Sequence, residues 1–213
     1  METRTGEVDT SPVIETEDAL GETGIVLMEA IDPLCVVAEL FALEDFTVFA
    51  FTENALMHRG LEKVLAAILP GIEAAARALP GRLWRICGSE YASPPYLPPG
   101  LHEEYFTRYT KPMVDAIKKH GGYARIHSHG MLRDILPNII ATGCDGLDPI
   151  EPPPQGADLG GVGARHRRGR EVHVGVLAQH REGVLELLGR EAHVFQLAQR
   201  HQKIVAFIQG KTG

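Results

Sequence analysis

The stretch YARIHSHG, residues 123–130, runs from strand-forming residues into two histidines and a glycine. His127 and His129 lie two positions apart, so on an extended chain their side chains project to the same side. A packed core would ask for more Val or Ile there. Two neighbouring imidazoles have two chemical uses. Together with a carboxylate they suit a divalent transition ion such as Zn²⁺, leaving a position open for water or substrate. Without a metal, one ring bonds neighbouring backbone and the other meets an anionic substrate. The pair alone leaves both readings open, because His-x-His is a short pattern.

Carboxylates stand at comparable places. Glu90 follows the strand-like RLWRICG, and Glu151 follows GLDPI. In a parallel α/β sheet the carboxyl ends of the strands share one rim, where loops leave a crevice for ligands. Glu90, Glu151, His127 and His129 should therefore meet on that rim. Tyr91 and Tyr96, in the proline-rich loop YASPPYLPPG, are candidates for a substrate-binding wall.

The elements that position these residues follow from periodicity. GIVLMEA, RLWRICG, YARIHSH and GLDPIEP read as strands, and the segments between them carry apolar residues at helical spacing, for instance Leu61, Val64, Leu65 and Ile68. Thr52 is placed to cap the long helix that Gly81 stops, and Thr110 to cap a second one with Pro112 in its first turn. That second helix closes on KKHGG, cations followed by glycine. A further strand, EVHVGVL, is indicated in the tail. Strands alternating with amphipathic helices give βαβ units and a parallel sheet.

Composition bounds the rest. Of 213 residues, 44% are hydrophobic, enough for a sizeable core. No apolar run reaches the ~20 residues of a membrane span, and the start lacks the features of a signal peptide, which points to a cytoplasmic protein without membrane contact. Cys35, Cys87 and Cys144 have no CxxC spacing and are expected to be reduced and buried. Residues 1–22 are acidic and unpatterned, as a disordered lead-in would be. Residues 1–162 hold 12 Lys+Arg and 24 Asp+Glu, a net of −12, whereas residues 163–213 hold 9 and 4, a net of +5. The basic tail also carries five of the ten histidines, yet it lacks the interleaved aromatics of a nucleic-acid module. The organisation expected is thus a lead-in (1–22), βα units (23–162) and a tail of separate character (163–213).

The blocks GRLWRICGSEYASPPYLPPGL, GGYARIHSHG and ILPNIIATGCDGLDPIEPPPQG, in this order, resemble the uroporphyrinogen decarboxylase superfamily over residues 24–162. That superfamily holds porphyrinogen decarboxylases and cobalamin-linked methyltransferases. The resemblance implies a (β/α)₈ barrel with its site at the strand carboxyl ends. The methyltransferase branch binds zinc through a His-x-Cys-Gly strand; His127 matches its histidine, and His129 stands where the cysteine would be. Glu90 falls where that branch often has an acidic residue facing the metal, and Glu151 or water would complete the set. The decarboxylase branch grips substrate carboxylates with an arginine-rich segment that has no counterpart here. The resemblance therefore implies a zinc-assisted methyl transfer with a corrinoid on a partner protein, ahead of decarboxylation without metal or cofactor.

A full barrel takes ~250 residues, and only four or five strands are legible in this chain. The expected object is a partial barrel, and a truncated relative without catalysis is the third reading. Open sheet edges would favour a homo-oligomer or a barrel-completing partner.

Overall fold

A computed structural model describes residues 8–150. Glu151, the strand expected at EVHVGVL and the tail 163–213 lie outside the described residues.

Four short strands form one parallel sheet in the order of the chain: β1 (Leu27–Ile31), β2 (Leu83–Cys87), β3 (Tyr123–His127) and β4 (Gly146–Asp148). The connections are helical. Between β1 and β2 run α2 (Pro33–Ala38), α3 (Leu43–Thr52) and the long α4 (Asn54–Ala78); between β2 and β3 come α5 (Pro99–His102) and α6 (Arg108–Lys119); α7 (Leu132–Ala141) leads to β4. Neighbouring strands that are parallel and sequential, each joined by helices, are consecutive βα units. The fold class is α/β.

Register separates the two faces of the sheet. Met28↔Trp84↔Ala124 and Ala30↔Ile86↔Ile126↔Leu147 face one way, and Ala30, Trp84, Ile86, Ala124, Ile126 and Leu147 are buried with α2, α4, α6 and α7 in a single hydrophobic cluster. Side chains two apart share a side, so the alternate positions face the other way. There Glu29↔Arg85↔Arg125 and Ile31↔Cys87↔His127↔Asp148 form two rows of mostly polar residues.

Several boundaries differ from the sequence expectation, each for a physical reason. The lead-in is not wholly without structure: Ser11–Leu20 form α1, started by Asp9 Oδ1 accepting from the Ser11 N–H and tied to the sheet by a two-pronged ion pair of Glu17 with Arg82 at 2.9 and 2.7 Å. Thr52 caps nothing; its hydroxyl donates back to the Val48 carbonyl, and Glu53 stands at the start of α4. Thr110 is buried inside α6 rather than at its start, because α5 and α6 are joined by a π-type segment, Glu103–Thr107. Among the described residues, no helix is long and apolar enough to cross a membrane.

Candidate functional site

The carboxyl rim gathers most of the residues expected there. His127 is the last residue of β3, and its register partner Cys87 ends β2. Glu90 follows three positions later, in a short 3₁₀ turn, Ser89–Ala92. His127 thus sits at the carboxyl end of β3, and His129 and Glu90 just past the ends of adjacent parallel strands. The rings of His127 and His129 meet edge to face, with centroids 4.9 Å apart, although β3 ends at His127 and His129 lies just beyond it.

Asp148 is the residue that sequence reasoning missed on this row. At the end of β4, its Oδ2 lies 3.0 Å from His127 Nδ1, while its Oδ1 lies 2.7 Å from Arg125 Nε. The second contact is ionic rather than a directed hydrogen bond, since neither atom has a hydrogen-bond partner among the described residues. A carboxylate on Nδ1 fixes the ring and, in the neutral tautomer, leaves Nε2 as the free lone pair. The signal was available: Asp148 precedes the proline that ends GLDP, at the strand-end position, but Glu151 drew attention because it comes last in the run.

Asp32 was also missed. It caps α2 by accepting the Cys35 N–H at 2.7 Å, its own N–H donates to Cys87 carbonyl at 2.9 Å, and it is fully buried. Burial, reinforced by the charge of Glu90, pushes its carboxyl up to about 8 against the pull of the Cys35 N–H. Its Oδ2, Ser89 Oγ and Glu90 Oε2 are buried without hydrogen-bond partners among the described residues. The close packing depends on Gly88, whose φ of +129° is a glycine conformation and whose missing Cβ would meet Cys35 Cβ at 2.3 Å and Asp32 Oδ1 at 2.7 Å.

The proline-rich loop packs against the turn that follows β3. Gly130 (φ +101°) lets it close in: a Cβ there would lie 3.1 Å from Ser93 Cβ and 3.3 Å from the Pro94 carbonyl, which accepts the Met131 N–H at 3.3 Å. Within this loop the two tyrosines diverge. Tyr91 is half-buried, edge-on to Phe46 at 6.2 Å, and burial holds its phenol above the usual value, whereas Tyr96 is exposed. Tyr91 therefore packs against the core.

Below the rim, Arg85 Nη2 donates to Glu29 Oε1 at 2.5 Å, and Cys87 Sγ reaches the same oxygen at 3.3 Å. Burial alone would raise the Glu29 carboxyl, but the Arg85 hydrogen bond and charge outweigh it and hold Glu29 low. Burial pushes the Cys87 thiol up to about 12, so it is not a ready thiolate.

Two imidazoles and an orienting carboxylate fit the beginning of a metal site. A third ligand is not grouped with them: among the described residues, no set of three or more His, Cys, Asp and Glu side chains is gathered to hold a metal ion. Glu151 lies outside the described residues. No family model matches the chain, and no curated protein or solved structure matches it either.

Proposed function

We propose that this chain is a partial (β/α)₈ barrel related to the cobalamin-linked methyltransferase branch of the uroporphyrinogen decarboxylase superfamily, acting on a small molecule at the strand carboxyl ends. The observation that carries this reading is the orientation of His127 by Asp148 beside His129. A histidine whose Nδ1 faces a carboxylate presents Nε2 as a ligand, which is how metal-binding imidazoles are commonly held. Glu90, with one buried oxygen unpaired among the described residues, enters this proposal as the third ligand on the resemblance, since the described residues do not gather it with the histidines. A zinc or other divalent ion there would supply Lewis-acid activation, with the corrinoid carried by a partner protein. Without a thiolate, the site would take harder divalent ions alongside zinc.

The test is bound metal in tag-free protein, compared across His129→Ala, Glu90→Ala and Asp148→Asn. Loss of metal in His129→Ala, and affinity lowered about 10–100-fold in Asp148→Asn, are the expected outcomes. Metal absent from the parent, or unchanged by all three substitutions, overturns the reading.

A further inference from the structure

On the polar face of the sheet, Arg85 and Arg125 are register partners on adjacent strands. Adjacent parallel strands run ~4.8 Å apart, so two guanidinium stems rise side by side. Like charges directly across a ladder are unfavourable and need a reason. Part of the reason is visible: Glu29 neutralises Arg85 from β1, and Asp148 neutralises Arg125 from β4. The four side chains thus read acid, base, base, acid, with a net charge of zero, Asp148 reaching Arg125 from the neighbouring row, where it stands opposite His127.

The donors are not used up. Each guanidinium carries a fork of N–H donors and accepts nothing. Among the described residues, Arg85 makes one hydrogen bond, to Glu29, and Arg125 one ionic contact, with Asp148; the Nε atoms of both are buried without a directed hydrogen bond. The acids are shared with other groups: Glu29 Oε1 also takes the Cys87 thiol, and Asp148 Oδ2 faces His127. Among the described residues the Arg85 Nε–H meets no acceptor and the Arg125 Nε–H only the poorly aligned Asp148 Oδ1 at 2.7 Å, and buried N–H groups in that state cost free energy unless a better acceptor meets them.

We propose that Arg85 and Arg125 form an oxyanion subsite that takes a carboxylate of the small-molecule substrate. A planar carboxylate matches the guanidinium fork, and a single negative charge suits a four-residue cluster that is neutral overall better than a phosphate dianion does. The subsite lies one register step below Cys87, His127 and Asp148, about 7 Å along the strands. An acid anchored there extends its remaining atoms toward His127 and His129. This inference rests on the reading of the strand ends as the substrate site, but not on the metal.

The experiment follows the arginine Nε–H resonances of the full chain by NMR while propionate, and separately inorganic phosphate, is added in chelator-treated buffer. Failure of the metal reading then leaves the result untouched, because metal content is a separate measurement. Arg82, paired with Glu17 outside this face, is the internal reference. Saturable shifts at Arg85 and Arg125, with Arg82 unmoved and propionate binding more tightly than phosphate, support the subsite. Arg85→Lys and Arg125→Lys keep the charge but lose the fork, and each should weaken propionate at least tenfold. Resonances that stay fixed or drift together with Arg82, tighter binding of phosphate, or Lys variants that bind as the parent does would each overturn it. Should either variant fail to fold, the shifts in the parent decide.

Discussion

On one face of the sheet, Trp84, Ile86, Ala124 and Ile126 disappear under helices; on the other, Glu29, Arg85, Arg125, His127 and Asp148 stand in rows that no described helix covers with apolar side chains. The same strands produce both, because successive residues alternate sides. The apolar face needs only volume and shape, so its residues are interchangeable within limits. The polar face needs partners in particular places, and each of its groups is held by another: Glu29 by Arg85, Asp148 by Arg125 and His127. Stability should therefore concentrate on the first face and specificity on the second.

The sharpest way to break that division is to cut the apolar face. Ile126→Ala, at a fully buried position between β2 and β4, should cost about 2–5 kcal/mol in urea unfolding, with the slope of the transition unchanged. A cost below ~1 kcal/mol would mean that the helix-covered side is not the core.

Asp148→Asn asks the same of the polar face. It removes the acid from both Arg125 and His127, side chains only 10% and 23% exposed, without changing volume. Partial solvent screening limits the loss to about 2 kcal/mol, less than the isoleucine. A cost equal to that of Ile126→Ala would erase the distinction between the faces.

The apolar face was the legible part. Period-2 alternation in RLWRIC and YARIH marked both strands, and helix spacing marked α4, because burial imposes a period on sequence. The polar face was legible only where it repeated a residue type: His127 and His129 stood out, whereas Asp148 and Asp32 did not. A lone aspartate before a proline reads as a turn or a helix cap, and Asp32 is indeed a cap. What sets it apart is complete burial beside Glu90, which depends on Gly88 in another strand's loop. No local pattern encodes that. The helix α1 was missed because it is held by Glu17 and Arg82, 65 residues apart, and buries nothing.

Buried titratable groups extend the comparison to pH. Asp32 is raised from 3.8 to about 8, so between those values the folded protein binds more protons than the unfolded chain, and stability falls as pH rises. His102 is lowered by burial from 6.5 to about 3, so over that window the unfolded chain binds more protons, and stability rises with pH. From about pH 4 to 6.5 the two slopes oppose each other; from 6.5 to 8 Asp32 acts alone, lowering stability by on the order of 2 kcal/mol at ~1.4 kcal/mol per unit. Asp32→Asn keeps an acceptor for the Cys35 N–H and removes the charge. Its urea midpoint should hold steady from pH 6.5 to 8 while that of the parent falls. Parallel curves for the two proteins would mean that Asp32 ionises freely.

The smallest effect separates charge on the sheet from charge in general. Lys111 and Asp115 pair at 2.9 Å on the outer side of α6, with side chains 50% and 58% exposed. Each is hydrated before and after folding, and holding two long side chains together opposes their attraction, so Lys111→Ala should change stability by less than ~0.5 kcal/mol. The order of the pair points the same way, since a helical pair with the acid first is the more favourable arrangement. Added salt should shrink even this difference, because it screens exposed pairs more than buried ones. The loss in Asp148→Asn should persist under the same salt. If both differences vanished together, the rows on the sheet would be ordinary surface charge, and the polar face would lose its claim to a site.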